Sequence, residues 1–285
     1  PRDGWRMYHG QVVPGFPQHP HRGFETVTLV RRGLVDHSDS LGAAARYGRG
    51  DVQWMTAGSG IVHAEMFPLL DQDGPNTLEL FQIWVNLPAE DKMVEPHFAM
   101  LWDQDIPRLP LGGPEGPDGE ITVIAGELAG LVPPPPPPHS WAARPESDFA
   151  LWHVRLERGA SWTMPAARGD ETIRVVYVFE GDGVDLDGTA IGGSTGAVVR
   201  TDVDLPVTAS TGAELLVLQS KPIGEPVAQY GPFVMNTEEE IRQAFADYRA
   251  TEFGGWPWPS DDPVHGSDPV RFARHATGLE ERQAS

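Results

Sequence analysis

Two pairs of residues early in the chain have the types and spacing of a metal centre. "HPH" sets His19 and His21 two residues apart, and "HAE" repeats the spacing with His63 and Glu65. In an extended segment, residues i and i+2 point to the same face, so each pair can present two ligands together. Pro20 favours extension at His19, because the residue before a proline avoids the helical region. If the two segments face each other across a barrel, three imidazoles and one carboxylate converge. Such a nitrogen-rich set suits Fe(II), Mn, Co, Ni, Cu or Zn, and suits the hard ions Mg and Ca poorly. On an octahedral ion it leaves two positions open for a substrate oxygen and a second small ligand.

Composition narrows the alternatives. The chain has no cysteine, so disulfides, thiolate metal sites and cysteine nucleophiles are excluded. A formal net charge of −20 argues against direct binding to DNA or RNA, where lysine and arginine neutralise phosphates. No apolar run approaches the roughly 20 residues of a membrane-spanning helix. The acidity is that of a soluble protein, and the expected location is the cytoplasm.

The elements that must position these ligands read as strands. "TVTLV" (26–30), "LELFQIWVNL" (78–87), "ITVIAG" (121–126), "LWHVRLE" (151–157), "TIRVVYVFEG" (172–181) and "ELLVLQS" (214–220) are rich in β-formers and separated by glycine-containing turns. With 32 glycines and 28 prolines the chain is an all-β one rather than a helical bundle. The proline run Pro133–Pro138 cannot join a sheet interior. It divides the chain into a first domain at 1–130, a linker at 131–145 and a second domain at 146–285. One helix is predicted over 237–249, where Thr237 and Glu240 have capping-box spacing and Ile241, Phe245 and Tyr248 share a face. The segment after it reads as a loop ending in a mobile tail.

The two halves share a frame. "HPHRGFET" (19–26) aligns without gaps on "PAARGDET" (165–172). Arg22, Gly23, Glu25 and Thr26 fall on Arg168, Gly169, Glu171 and Thr172, while His19 and His21 fall on Pro165 and Ala167. Because Glu171 stands where no histidines are, Glu25 reads as structural rather than as a ligand. Of the ten histidines only His139, His153, His265 and His275 follow the proline run, so the second unit cannot rebuild the site. His9, His37 and His97 read as surface or turn residues, His37 in a solvated turn beside Asp36 and Asp39. Trp54, Met55, Phe67, Phe81 and Trp84 are candidates for a pocket wall, with barrel core the simpler reading of each.

"GFPQHPHRGFETVT", "HSDSLG", "GDVQWMTAGSGIVHAEMF", "LFQIWVNLP" and "GPFVMNTEEEI" resemble the pirin family of the cupin superfamily over about residues 10 to 250. The resemblance implies a bicupin: two tandem jelly-roll β-barrels with a short C-terminal helix, and a metal, usually Fe(II), in the first barrel only. It maps the ligands onto His19, His21, His63 and Glu65. It also implies quercetin 2,3-dioxygenase activity on a flavonol plus O2, with Glu65 or a metal-bound water as general base. The alternative it implies is an iron-dependent, redox-sensing co-regulator that binds a protein partner without turnover. The proline run and "WPWPSDDPVHGSDP" depart from the family pattern and could alter access to the site.

Overall fold

The structure, a computed structural model, describes residues 13–113 and 116–283; His9 lies outside them. The chain begins with β1 (Gly15–His21), β2 (Phe24–Arg32), β3 (Leu34–Asp39), β4 (Ala44–Gly48), β5 (Val52–Thr56), β6 (Ile61–Met66), β7 (Glu79–Asn86) and β8 (His97–Leu101). These form two sheets, in the orders β1-β6-β3-β4 and β7-β2-β5-β8. Val30, Val35, Tyr47, Met55, Ile61 and Phe98 share one buried cluster, the packed interior that alternating strands supply.

β9 (Arg108–Gly113), β10 (Gly116–Ala125), β11 (Ala150–Leu156), β12 (Ser161–Met164), β13 (Ile173–Gly181), β14 (Gly183–Leu186), β15 (Thr189–Gly192), β16 (Thr195–Val199), β17 (Leu205–Thr208) and β18 (Ala213–Ser220) follow. Their orders are β12-β17-β14-β15 and β16-β13-β18-β11-β10-β9. The first repeats β1-β6-β3-β4, and β16-β13-β18 repeats β5-β2-β7, so the duplication predicted from the sequence is present in the topology.

β19 (Ala228–Tyr230), β20 (Phe233–Met235), α1 (Glu238–Thr251), β21 (Phe272–Arg274) and β22 (Glu280–Arg282) complete the chain. Thr237 caps α1, with its side chain and that of Glu240 both engaged in the capping box. Ile241 and Ala244 are buried, with Phe245 and Tyr248 packed against the same cluster as Phe233.

Backbone packing yields two compact units, one running to Asp103 and resuming at Glu225, the other spanning Gln104–Gly224. The division therefore does not fall at the proline run. Pro133–Pro138 lie within the second unit, in neither strand nor helix, with Pro137 buried. Helix α1 belongs to the first unit because the hairpin β19–β20 returns there: Val234 N–H donates to the Arg22 carbonyl at 3.0 Å.

The C-terminal segment is not a free tail. β21 pairs with β4 in the register Phe272↔Arg46, Ala273↔Ala45 and Arg274↔Ala44, and Ala273 is fully buried. Upstream of it, Trp258 Nε1 donates to the Asp39 carbonyl at 2.8 Å, and Arg46 donates to the carbonyls of Gly266 and Asp268. Reading mobility from a polar, proline-rich composition overlooked the open edge of β4, which offers unpaired backbone groups to the returning chain. No helix among the described residues is long and apolar enough to cross a membrane.

Candidate metal centre

β1 and β6 are antiparallel neighbours, and their register sets His19 directly opposite His63 and His21 opposite Ile61. Alternation along β6 sends His63 inward, while Val62 joins the outer cluster beneath α1. The three imidazoles of His19, His21 and His63 present ligand atoms within 4.8 Å of one another. Their ring centroids lie 4.4 Å (His19–His63), 4.8 Å (His19–His21) and 4.9 Å (His21–His63) apart.

Hydrogen bonds orient two of the rings. His19 Nδ1 meets the Pro17 carbonyl at 2.8 Å and His21 Nδ1 meets that of Pro232 at 3.4 Å. A carbonyl only accepts, so each Nδ1 carries the proton and each Nε2 keeps its lone pair for a ligand. His63 is fully buried, and among the described residues neither of its ring nitrogens has a hydrogen-bond partner. A buried nitrogen without a partner costs free energy, and a metal ion at this point would give one of the two a partner. Burial, then the neighbouring imidazoles, hold His63 well below its ordinary pKa and His21 down at about 3. The His21 and His63 rings are therefore neutral, the form a metal requires.

Glu65 follows His63 on the same face. Its carboxylate Oε2 lies 3.9 Å from His63 Nε2 and accepts from Gln82 Nε2 at 2.9 Å; Oε1 accepts from Gln82 at 3.2 Å and from Thr28 at 3.5 Å. The carboxylate thus stands beside the three-imidazole group. Glu25 is fully buried in β2 and its Oε1 accepts from Thr56 Oγ1 at 2.6 Å, which ties it to the sheet.

The second unit shows what occupies the same positions without a metal. There Trp162 pairs with Val207 and Met164 with Leu205, and Val207 also pairs with Leu186 at the end of β14. His63 likewise pairs with Asp39 at the end of β3. By register, Trp162, Met164 and Val207 thus replace His19, His21 and His63, and all three join the apolar core. The ungapped alignment misassigned these positions to Pro165 and Ala167, because the β12–β13 connection (165–172) is longer than the β1–β2 connection (22–23). It also matched Glu171 to Glu25. Glu171 lies before β13, exposed and paired with Lys221 at 2.7 Å, whereas Arg174 takes the second strand position that Glu25 has in β2.

His37 is not in a solvated turn. It is fully buried in β3, with Nε2 3.1 Å from Asp39 Oδ2 and its ring 5.5 Å from that of His63. Two adjacent acidic residues suggested solvent, but Asp36 is consumed by Arg46 and Asp39 by the backbone of Leu41 and Ala43. His97 is exposed. Trp54 and Met55 are fully buried core; Phe67 and Phe81 are half-buried. Trp84 is 43% exposed with its ring 5.9 Å from His21, and Phe16 is 58% exposed with its ring 6.3 Å from His19.

Two family models match the chain: Pirin over residues 3–85 and the Pirin C-terminal cupin domain over 151–254. Human Pirin is 34% identical, with 87% of this chain and 80% of that protein covered. The chain belongs to the pirin family. A Pseudomonas aeruginosa pirin relative named "Putative quercetin 2,3-dioxygenase" is 42% identical, with 84% of this chain and 79% of that one covered. A solved quercetin 2,3-dioxygenase from Acinetobacter baumannii is 35% identical, with a TM-score of 0.76 over 86% of this chain and 81% of that chain. The bicupin architecture of this pirin agrees with that structure.

In this pirin, sequence reasoning missed the residues that hold the corner between β1 and β2. Lys92 is buried, and its Nζ donates to the Gly23 carbonyl (2.8 Å), Asn86 Oδ1 (2.6 Å) and the Val234 carbonyl (3.0 Å). Burial pulls it down to a pKa of about 8 against the raising effect of Glu225 and Glu240. Arg22 donates to the Ser59 carbonyl and Asp247, both at 2.7 Å. A lone lysine far along the chain carries no sequence signal for such a role. Gln82 was equally invisible, although its position two residues before Trp84 puts it on the same strand face.

Proposed function

We propose that this pirin is a metal-dependent flavonol 2,3-dioxygenase of the quercetin type, with Fe(II) held by His19, His21, His63 and Glu65. The observation that carries this reading is the convergence of three imidazoles around His63, whose buried ring nitrogens have no hydrogen-bond partner among the described residues. Likeness to the Acinetobacter enzyme supports the substrate class. When bound, the metal supplies a Lewis-acid and one-electron site between the flavonol and O2.

The chain's own groups do the rest. His21 Nδ1 leans on the Pro232 carbonyl and His19 Nδ1 on that of Pro17, so both rings keep their donor atoms turned to one point. Glu65, steadied by Gln82 and Thr28, takes the proton of the flavonol 3-hydroxyl. Phe16 and Trp84 offer exposed aromatic faces beside His19 and His21 to a planar ligand. Overall, one quercetin and one O2 yield a depside and carbon monoxide.

Under O2, Fe(II)-loaded protein should bleach the quercetin absorbance and release carbon monoxide. Glu65→Gln should lower kcat about 10²–10⁴-fold, and His63→Ala should lose both stoichiometric metal and turnover. Intact quercetin after loading with Fe, Mn, Co, Ni and Cu in turn would overturn the substrate class. Metal retained by His63→Ala would overturn the ligand set.

A further inference from the structure

The second unit contains a cavity of about 340 Å³ that the proposed dioxygenase chemistry does not use. Its volume is at the lower end of the range for small-molecule sites. Arg174 lines it, although only 1% of that residue is exposed. Arg174 Nε donates to Gln219 Oε1 at 2.7 Å and Nη1 to the Pro165 carbonyl at 2.9 Å. Nη2 has no hydrogen-bond partner among the described residues. The Trp152 ring, also on the cavity wall, lies 5.9 Å from the guanidinium carbon.

A guanidinium edge that no protein acceptor meets, on the wall of a cavity, is open to an anionic ligand. Burial lowers the Arg174 pKa and the nearby Asp148 charge opposes that. Among the described residues Asp148 makes no hydrogen bond to Arg174. Its Oδ2 is used by Arg168 N (3.0 Å), Gly169 N (3.1 Å) and Thr172 Oγ1 (2.7 Å). Glu127, the other wall carboxylate, lies 3.5 Å from Arg168.

We infer that this cavity is a second ligand site, for a small carboxylate with an apolar body. The carboxylate oxygens pair with the free edge of Arg174, a planar donor fork matched to that group. The apolar body lies against Leu128, Phe149 and Trp152, which line the same space. A single charge fits better than a phosphate dianion, because Asp148 and Glu127 share the wall with Arg144, Arg168 and Arg174. The site is independent of the metal, since every residue named lies within Gln104–Gly224.

Nitrogen-15 NMR of the full chain, metal-loaded and EDTA-treated, tests the site with two probes, benzoate and inorganic phosphate, each raised to about 10 mM to reach weak binding. Benzoate should shift the Trp152 indole N–H and Arg174 Nε–H signals saturably in both metal states. Arg174→Met should weaken that binding tenfold or more. Ala142→Phe fills the cavity while leaving the Arg174 hydrogen bonds alone, and it should block binding with an unchanged Tm. That variant also carries the test if Arg174→Met does not fold. Saturation by phosphate alone would overturn the carboxylate assignment. No saturable shift of these two signals, or a shift that vanishes with EDTA, would overturn the site itself.

Discussion

At the scale of single residues, the centre depends on imidazoles held neutral by their surroundings. His21 and His63 are depressed below the ordinary histidine value of about 6.5. An unfolded chain binds protons at these positions as pH falls below that value, while the folded chain refuses them. Stability is therefore full above pH ~6.5 and declines as pH drops toward the folded pKa, about 3 for His21. The slope for each such histidine is about 1.4 kcal/mol per pH unit. Urea titrations of metal-free protein should show this between pH 6.5 and 4.5, less steeply in a His21→Asn variant; a flat midpoint would contradict the neutral-imidazole account. His19, His21 and His63 were legible because i,i+2 spacing is a geometric statement about strands. His37 was not: a sequence cannot show that both neighbouring aspartates are already engaged.

At the scale of elements, the strand entry from β1 to β2 decides where two of the imidazoles point. Gly23 has φ +82°, and a Cβ there would stand 2.2 Å from the Val234 carbonyl oxygen. Gly23→Ala should cost about 1–3 kcal/mol and weaken metal affinity, because the corner and the Pro232 carbonyl that orients His21 move together. Metal titration beside a melting curve would separate the two effects. Gly169 has no comparable conformation, which is why the shared Arg-Gly-x-Glu-Thr letters misled. A run of matching residues does not report the length of the loop it sits in. Arg46 joins β4 to β3 through paired bonds to Asp36 at 2.7 and 2.6 Å, and to the C-terminal segment through the carbonyls of Gly266 and Asp268. Arg46→Met strands a buried carboxylate and should cost about 3–5 kcal/mol in chemical denaturation. A loss below 1 kcal/mol would mean that the segment adds little.

At the scale of the whole molecule, one barrel carries His19, His21 and His63 where its duplicate carries Trp162, Met164 and Val207. Ligand binding stabilises only the state that binds. Chelation should accordingly raise hydrogen exchange in β1 and β6 and leave β13 and β18 unchanged; equal deprotection in both units would refute the assignment of the metal to the first. Strand content, the capped helix, the duplication and the histidine cluster could all be read from the sequence, since each rests on local periodicity or on which residue types are present. Where the chain divides, what becomes of its last residues, and which residues of the second unit match the histidines were settled by tertiary structure. Those outcomes depend on hydrogen bonds between distant segments, such as Val234 to Arg22 and Ala273 beside Ala45. Local composition carries no record of which open edge or buried carbonyl a remote segment will satisfy.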